Sequence, residues 1–167
     1  MKKTMLLLGL IMLLVLAGCG KSTDAAVPKD FSFALTWNCY GVSSYDSETG
    51  VLVKTTDATH PEDYVTECRL SEEDLREIYD LLSDLNAGSY PKEYDPGNGL
   101  SKPSMTLILT VRENGKEKTI RAENIGMHFE SKDKKGQKFL SACESIIMTL
   151  TETPEWKALP AYERLYE

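Results

Sequence analysis

The sequence predicts an α+β fold, in which an antiparallel sheet of about five strands carries helices on one face. Two segments, 31–40 and 105–112, alternate apolar and polar side chains with the two-residue period of a half-buried strand. Two others, 75–85 and 139–150, repeat apolar side chains at helical spacing. The order is a three-strand meander, a helix, a hairpin and a helix. An antiparallel sheet covered on one face is the simplest arrangement that buries these stripes.

The meander begins with the most regular strand pattern in the chain. Strand 31–40 has apolar side chains at every second position: Phe31, Phe33, Leu35, Trp37 and Cys39. Residues 41–50 are rich in turn formers and are predicted to be a turn. The second and third strands are predicted at 51–56 and 64–70, on either side of a break that contains Pro61.

The first helix has a start signal and a stop signal. Ser71 followed by Asp74 matches a capping box, since the hydroxyl can accept a hydrogen bond from the backbone of the first turn. Gly88 stands where a left-handed residue would end the helix. The stripe that faces the core is Leu75, Ile78, Tyr79, Leu82 and Leu85.

The second half of the chain reads as a hairpin followed by two helices. A long connection at 89–103 precedes a strand at 105–112, and Asn114-Gly115 is the strongest two-residue hairpin signal before a return strand at 116–122. A basic loop at 132–138 opens the second helix, and Pro154 begins a short final helix through Leu159. The stripe of the second helix is Phe139, Cys143, Ile146, Ile147 and Leu150.

The N-terminus has the organisation of an export signal. Lys2 and Lys3 precede an apolar segment at 5–16, which is shorter than the roughly 20 residues of a membrane-spanning helix. Small residues follow at 17 and 18, and the sequence then turns polar. A cleaved signal at 1–18 is therefore predicted, although a retained anchor stays open as an alternative.

The residues Leu16-Ala17-Gly18-Cys19 resemble the lipobox of bacterial lipoproteins. This resemblance implies a diacylglycerol anchor on Cys19, acyl chains such as palmitate in the cell membrane, and cleavage before that cysteine. Residues 19–30 would then be the lipidated cysteine with a short tether, and 31–167 a single α+β domain. A plain signal peptide with a coincidental cysteine is the other alternative. Together with the stretch 154–160, the lipobox resembles small lipoproteins of Gram-positive bacteria, which implies no particular activity.

Charge restricts the partners of the mature chain. Removal of Lys2 and Lys3 leaves 17 basic against 26 acidic residues, a formal charge of −9. A domain of this charge is repelled by an anionic membrane, so lipid rather than charge would hold it there. Nucleic acid is an unsuitable partner for the same reason.

Three cysteines remain if Cys19 carries lipid. One disulfide within the chain can then form, and Cys39 with Cys68 is the predicted pair because both lie at the ends of strands. Cys143 lies on the apolar stripe of the second helix and is predicted to be buried and unreactive.

The sequence contains no catalytic or cofactor motif. His60 and His128 lie far apart and outside any metal-binding pattern, so no metal site and no cofactor are predicted. No Gly-x-Ser-x-Gly or Ser-x-x-Lys motif offers a nucleophile. The loops do contain carboxylate pairs, at 46 and 48 and at 62 and 63. No catalytic residue is therefore assigned.

These observations favour a membrane-anchored extracytoplasmic binding or protein-interaction module over an enzyme. Its partner would be an envelope protein or a small ligand. The predicted contact surface is one face of the sheet or the loops that carry Tyr40, Tyr45 and Tyr90, since tyrosine suits contact surfaces. Two alternatives remain, a hydrolase of envelope material that uses the loop carboxylates and a structural lipoprotein without a ligand. The basic run 132–138 is either a solvated loop or a contact for anionic headgroups.

Overall fold

Six antiparallel strands form one sheet in the computed structural model of the chain, which describes residues 26–39, 42–55, 63–97, 99 and 102–161. The strands are β1 (Ser32–Trp37), β2 (Ser43–Asp46), β3 (Val51–Thr55), β4 (Asp63–Glu67), β5 (Met105–Glu113) and β6 (Lys116–Ile125). The helices are α1 (Glu72–Leu85), α2 (Lys134–Glu152) and α3 (Pro154–Ala158), with a 3-10 turn at Ala87–Ser89. The predicted fold class is confirmed, with six strands rather than about five.

The additional strand is β2, which lies in the segment that was predicted to be a turn. The strand order is β4-β3-β2-β1-β5-β6, so β2 connects β1 to β3. Tyr45 is its one large apolar side chain, opposite Leu35 of β1 and Leu52 of β3. Four residues with a single apolar position give too little alternation to be recognised as a strand. The turn prediction was therefore wrong for residues 43–46.

One face of the sheet forms the core with the helices. Phe33, Leu35 and Trp37 of β1 are at most 4% exposed, and alternate residues of β5 and β6 continue this face. The helices reach it through aromatic contacts, among them Phe31 with Tyr79 of α1 at 4.9 Å between ring centroids. The buried residues of α1 and α2 belong to the same cluster. Helix packing on one face is thus confirmed.

Helix α1 begins as predicted and ends two residues early. The Ser71 hydroxyl accepts a hydrogen bond from the Asp74 backbone N–H at 3.1 Å, which confirms the cap. The left-handed stop is Asn86 (φ 54°) rather than Gly88, and its N–H donates to the Ser83 carbonyl at 3.2 Å. Asparagine tolerates this conformation better than most residues, so it can take the place of glycine here.

The hairpin turn and the last helix begin at their predicted residues, whereas α2 begins at Lys134, inside the segment that was predicted to be a basic loop. Asn114 and Gly115 have φ values of 53° and 67°, as the turn between β5 and β6 requires. Asp133 caps α2 by accepting from the Gly136 N–H at 2.7 Å, and Thr153 caps α3. Among the described residues, no helix combines the length and the apolar character that crossing a bilayer would require. Residues 16–19, on which the predicted lipid anchor depends, lie outside those residues.

Candidate functional site

Two of the three tyrosines predicted to form a binding surface belong to the core. Tyr45 is 2% exposed, and its hydroxyl donates to the Cys68 carbonyl at 3.2 Å. Tyr90 is 3% exposed, packs against Phe139 and donates to the Lys135 carbonyl at 3.1 Å. Each side chain buries its ring and satisfies its hydroxyl internally, so the prediction was wrong for both. Tyr40 lies outside the described residues.

The predicted disulfide is also wrong, since Cys39 and Cys68 are both free and buried. Followed from β4 through β3 and β2, the strand register places Cys68 level with the first residues of β1. Cys39, by contrast, comes after the last residue of β1. The two therefore lie about 20 Å apart along the strands and three strands apart across the sheet. A disulfide needs Cα atoms within about 7 Å.

Cys143 is fully buried in α2, as predicted, and burial raises the pKa of its thiol above the ordinary value. The pKa of Cys68 is raised as well, mainly by burial. Both shifts favour the protonated thiol, which is a poor nucleophile. Within the part of the chain that the structure describes, no three His, Cys, Asp or Glu side chains come together as metal ligands would.

The loop carboxylates considered for a hydrolase are divided between different roles. Asp46 and Glu48 both approach the Arg112 guanidinium, at 3.3 and 3.6 Å, and Glu117 contacts the same group at 2.9 Å. This network neutralises the carboxylates at the end of the sheet instead of presenting them across a cleft. Glu62 lies outside the described residues, and Asp63 begins β4.

The face of the sheet opposite the helices carries none of the described helices, and we call it the open face. One row of paired residues crosses all six strands: Val65, Val53, Ser44, Thr36, Ile108 and Arg121. The adjacent row is Glu67, Val51, Asp46, Ala34, Thr110 and Thr119. The open face is defined as these two rows. It spans about 24 Å across the strands.

Apolar and small side chains occupy most of the open face. Val51 and Val65 are 41% and 63% exposed, which places two large apolar side chains in solvent on β3 and on the edge strand β4. Towards the centre, Ala34 and Thr36 are half-buried, and their short side chains project little from the sheet. A charged residue lies at each border, Glu67 on β4 and Arg121 on β6, and Asp46 on β2 adds a third that pairs with Arg112. Such a surface fits a protein partner better than a small molecule, which needs a concave site.

The sequence contained a signal for the open face that the interpretation did not use. The strand alternation assigns Thr36 and Ile108 to the face opposite the core stripe. An isoleucine among polar positions marks a less hydrophilic outer face. Val53 and Val65 have the same property. Their pairing into one row depends on register, which the alternation does not determine.

A second feature is a group of lysines at the junction of α1, α2 and the β5–β6 hairpin. A cavity of about 440 Å³ between α1 and the hairpin has Lys116 and Lys118 in its lining. A neighbouring cavity of about 520 Å³ has three lysines of α2 in its lining, and both cavities share Asn86. We call this group the lysine end; its members are Lys116, Lys118, Lys134, Lys135 and Lys138.

Lys54 is a buried lysine that the sequence did not indicate. It is 6% exposed on the core face, with its ammonium 4.8 Å from the centroid of the Trp156 ring and 3.5 Å from the Leu159 carbonyl. Burial lowers the pKa of this amine from its usual value. The ring centroid of Trp156 in turn lies 5.5 Å from that of Trp37 in β1, so these contacts hold α3 against the sheet.

No known protein family matches the sequence, and no curated protein sequence matches it either. Two surfaces of the described residues are open to a partner, the open face and the lysine end. They differ in chemistry, since the first combines apolar and hydroxyl side chains on a sheet face and the second groups five lysines around two cavities.

Proposed function

We propose that the protein is a lipid-anchored extracytoplasmic binding module whose open face docks a partner protein. The anchor would be diacylglycerol on Cys19, as the likeness of residues 16–19 to a lipobox implies. The observation that carries the binding role is the exposure of Val51 and Val65 on a sheet face that none of the described helices covers. Exposed apolar surface of this kind is typical of protein contact sites.

The chemistry of the open face defines the kind of partner. Valine, isoleucine and threonine side chains at every second position form rows against which the side chains of another apolar surface can pack. Ser44 and Thr36 add hydroxyl groups near the centre, and the charges at the borders would orient the partner. We therefore expect a protein with a flat apolar contact surface rather than a soluble small ligand.

Photo-cross-linking in the producing cell tests the docking surface. A photoreactive phenylalanine analogue replaces Val65 in one variant and Met148 in another, because these side chains are matched in exposure at 63% and 62% while Met148 lies on α2. We expect one discrete cross-linked protein from position 65 and none from position 148. The substitution Val53→Asp in the same row should abolish the cross-link. Equal products from both positions, or none from either, would refute the docking surface.

The anchor has an independent test. Mass spectrometry of the mature N-terminal peptide should find Cys19 as the first residue, carrying diacylglycerol, and Cys19→Ser should release the protein from the membrane fraction. An unmodified Cys19, or a mature protein that begins elsewhere, would contradict the anchor without bearing on the open face.

A further inference from the structure

We propose that the lysine end contacts the anionic lipid headgroups of the membrane, so that the domain is held in one orientation; this inference rests on the proposed anchor. The ligand chemistry is a headgroup phosphate at the bilayer surface. Three features support it: the arrangement of the lysines, the engagement of the carboxylates beside them, and the place where the tether joins the domain.

The lysine amines are arranged around two adjacent cavities. Lys135 donates to the Ser89 carbonyl at 2.7 Å and lies 4.5 Å from the centroid of the Tyr90 ring, which fixes its position. Lys138 donates to the Asp84 carbonyl at 2.5 Å. The side-chain amines of Lys116, Lys118 and Lys134 have no hydrogen bond or ion pair with any part of the chain that the structure describes. Three amines are thus available for an external anion, beside two that are held in place.

The carboxylates in the lining of these cavities already have partners. Asp84 pairs with Lys138 at 3.0 Å, and Glu117 pairs with Arg112 at 2.9 Å. Glu113 accepts a hydrogen bond from the Tyr79 hydroxyl at 3.2 Å. The lining contains five lysines and these three acids, and two more carboxylates lie at its margin, where Asp30 accepts from the Gly115 N–H and Asp133 from the Gly136 N–H. Each of these acids has a partner within the domain, so the amines of Lys116, Lys118 and Lys134 are the charges left for an external ion.

The tether joins the domain beside the same group of lysines. The Gly115 N–H at the tip of the hairpin donates to the Asp30 carboxylate at 3.0 Å, so the chain reaches β1 next to Lys116. Ten residues lie between Cys19 and Asp30, so the two are at most about 40 Å apart. A lipid on Cys19 would therefore keep the hairpin tip near the bilayer.

These features favour one orientation of the domain on the membrane. An acidic domain on a short tether is repelled by an anionic leaflet, and the repulsion is least when its cationic end faces the lipid. Each lysine near such a surface strengthens association by about fivefold, and the contribution falls off within a Debye length. Three available lysines are enough to favour one orientation over the others.

Lysine acetylation of the full chain, reconstituted into vesicles, tests the orientation. We compare phosphatidylcholine alone with phosphatidylcholine that contains about 30% phosphatidylglycerol, and follow each lysine by mass spectrometry. Acetylation of Lys116 and Lys134 should slow several-fold on the anionic vesicles and recover in 1 M salt, where the Debye length is about 3 Å. Lys157 should not change, since it follows α2 at the end opposite Lys134.

Two matched variants complete the test. Lys116→Glu with Lys134→Glu should abolish the slowing at Lys118 and Lys135. Lys102→Glu with Lys157→Glu makes the same change in net charge at exposed positions outside the lysine end and should leave the slowing intact. Equal rates on both vesicles, or equal slowing at Lys157, would overturn the proposal. The mass of the N-terminal peptide reports separately on the anchor, so a failure of the anchor and a failure of the orientation are distinguishable.

Discussion

Tyr45 is a side chain whose role depends on a contact 23 residues away in the sequence. Its hydroxyl donates to the Cys68 carbonyl, and its ring lies 5.7 Å from that of Phe33. Burial is the main cause that raises the pKa of this phenol to about 12. The unfolded chain would ionise near 10, so the folded state retains the proton over a range where the unfolded state loses it.

Tyr45→Phe should therefore change both the stability and its dependence on pH. At pH 8 we expect a loss of about 1 kcal/mol in the free energy of unfolding, because the Cys68 carbonyl loses its donor. Between pH 10 and 12 the parent protein loses stability as pH rises, since only its unfolded state releases the tyrosine proton. The difference in the free energy of unfolding between the parent protein and Tyr45→Phe should thus shrink to nearly zero around pH 11.

Urea unfolding at pH 8 and at pH 11, followed by circular dichroism, measures this difference. A deficit that stayed constant across the two pH values would show that the hydrogen bond matters but that the raised pKa does not affect folding.

Tyrosines also mark the limit of the sequence interpretation at the scale of single residues. A tyrosine beside a predicted loop suits a contact surface and a core border equally well, because the ring is apolar and the hydroxyl is polar. For Tyr90 the decision comes from Phe139, which α2 brings against its ring. Contacts between residues so far apart in the sequence cannot be recognised from the sequence pattern. Cys143, by contrast, was placed correctly because its own helix gave the apolar face.

At the scale of elements, the end of α1 tests the role of a left-handed residue. Asn86 has a φ of 54°, whereas Gly88 is not among the residues with positive φ, and the nearest atom to a Cβ at Gly88 would be 3.9 Å away. Asn86→Ala should cost about 1 kcal/mol, because an alanine side chain is strained in this conformation. Asn86→Gly should cost nothing.

Gly88→Ala is the matched control and should be neutral or slightly stabilising. The midpoint of urea unfolding distinguishes the three variants. A larger loss of stability for Gly88→Ala than for Asn86→Ala would show that α1 ends at Gly88, as the sequence suggested, and not at Asn86.

The elements that could be predicted are those whose signals lie within themselves. The cap at Ser71, the turn at Asn114-Gly115 and the proline start of α3 each involve neighbours in sequence, and each was located correctly. Strand β2 was missed because its pairing with β1 and β3, rather than its composition, makes it a strand. The choice between Asn86 and Gly88 likewise depends on where the helix leaves the core.

At the scale of the whole molecule, sheet geometry keeps the thiols apart. If Cys19 carries lipid as proposed, the protein should react with three equivalents of iodoacetamide when it is unfolded without a reductant, one each at Cys39, Cys68 and Cys143. Its unfolding midpoint should be the same with and without dithiothreitol, since no bridge is present to be reduced.

A bridge between Cys39 and Cys68 would instead leave one reactive thiol and would add about 3–4 kcal/mol that the reductant removes. Mass spectrometry of the alkylated protein decides between the two outcomes. The fold class was predictable because apolar stripes determine which elements must cover each other. The disulfide and the open face were not, because both depend on which residues lie opposite each other across strands.

The strand order also determines the order in which the chain can fold. Strands β1 to β4 pair with their neighbours in sequence, and so do β5 and β6, but β1 pairs with β5 across about 70 residues of chain. Two locally closing ribbons must therefore meet along one seam, and pairing between segments so distant in sequence slows folding in general. Until β5 has been synthesised, the apolar strand β1 presents an unpaired edge, which makes the newly made N-terminal half the segment most in need of protection from aggregation.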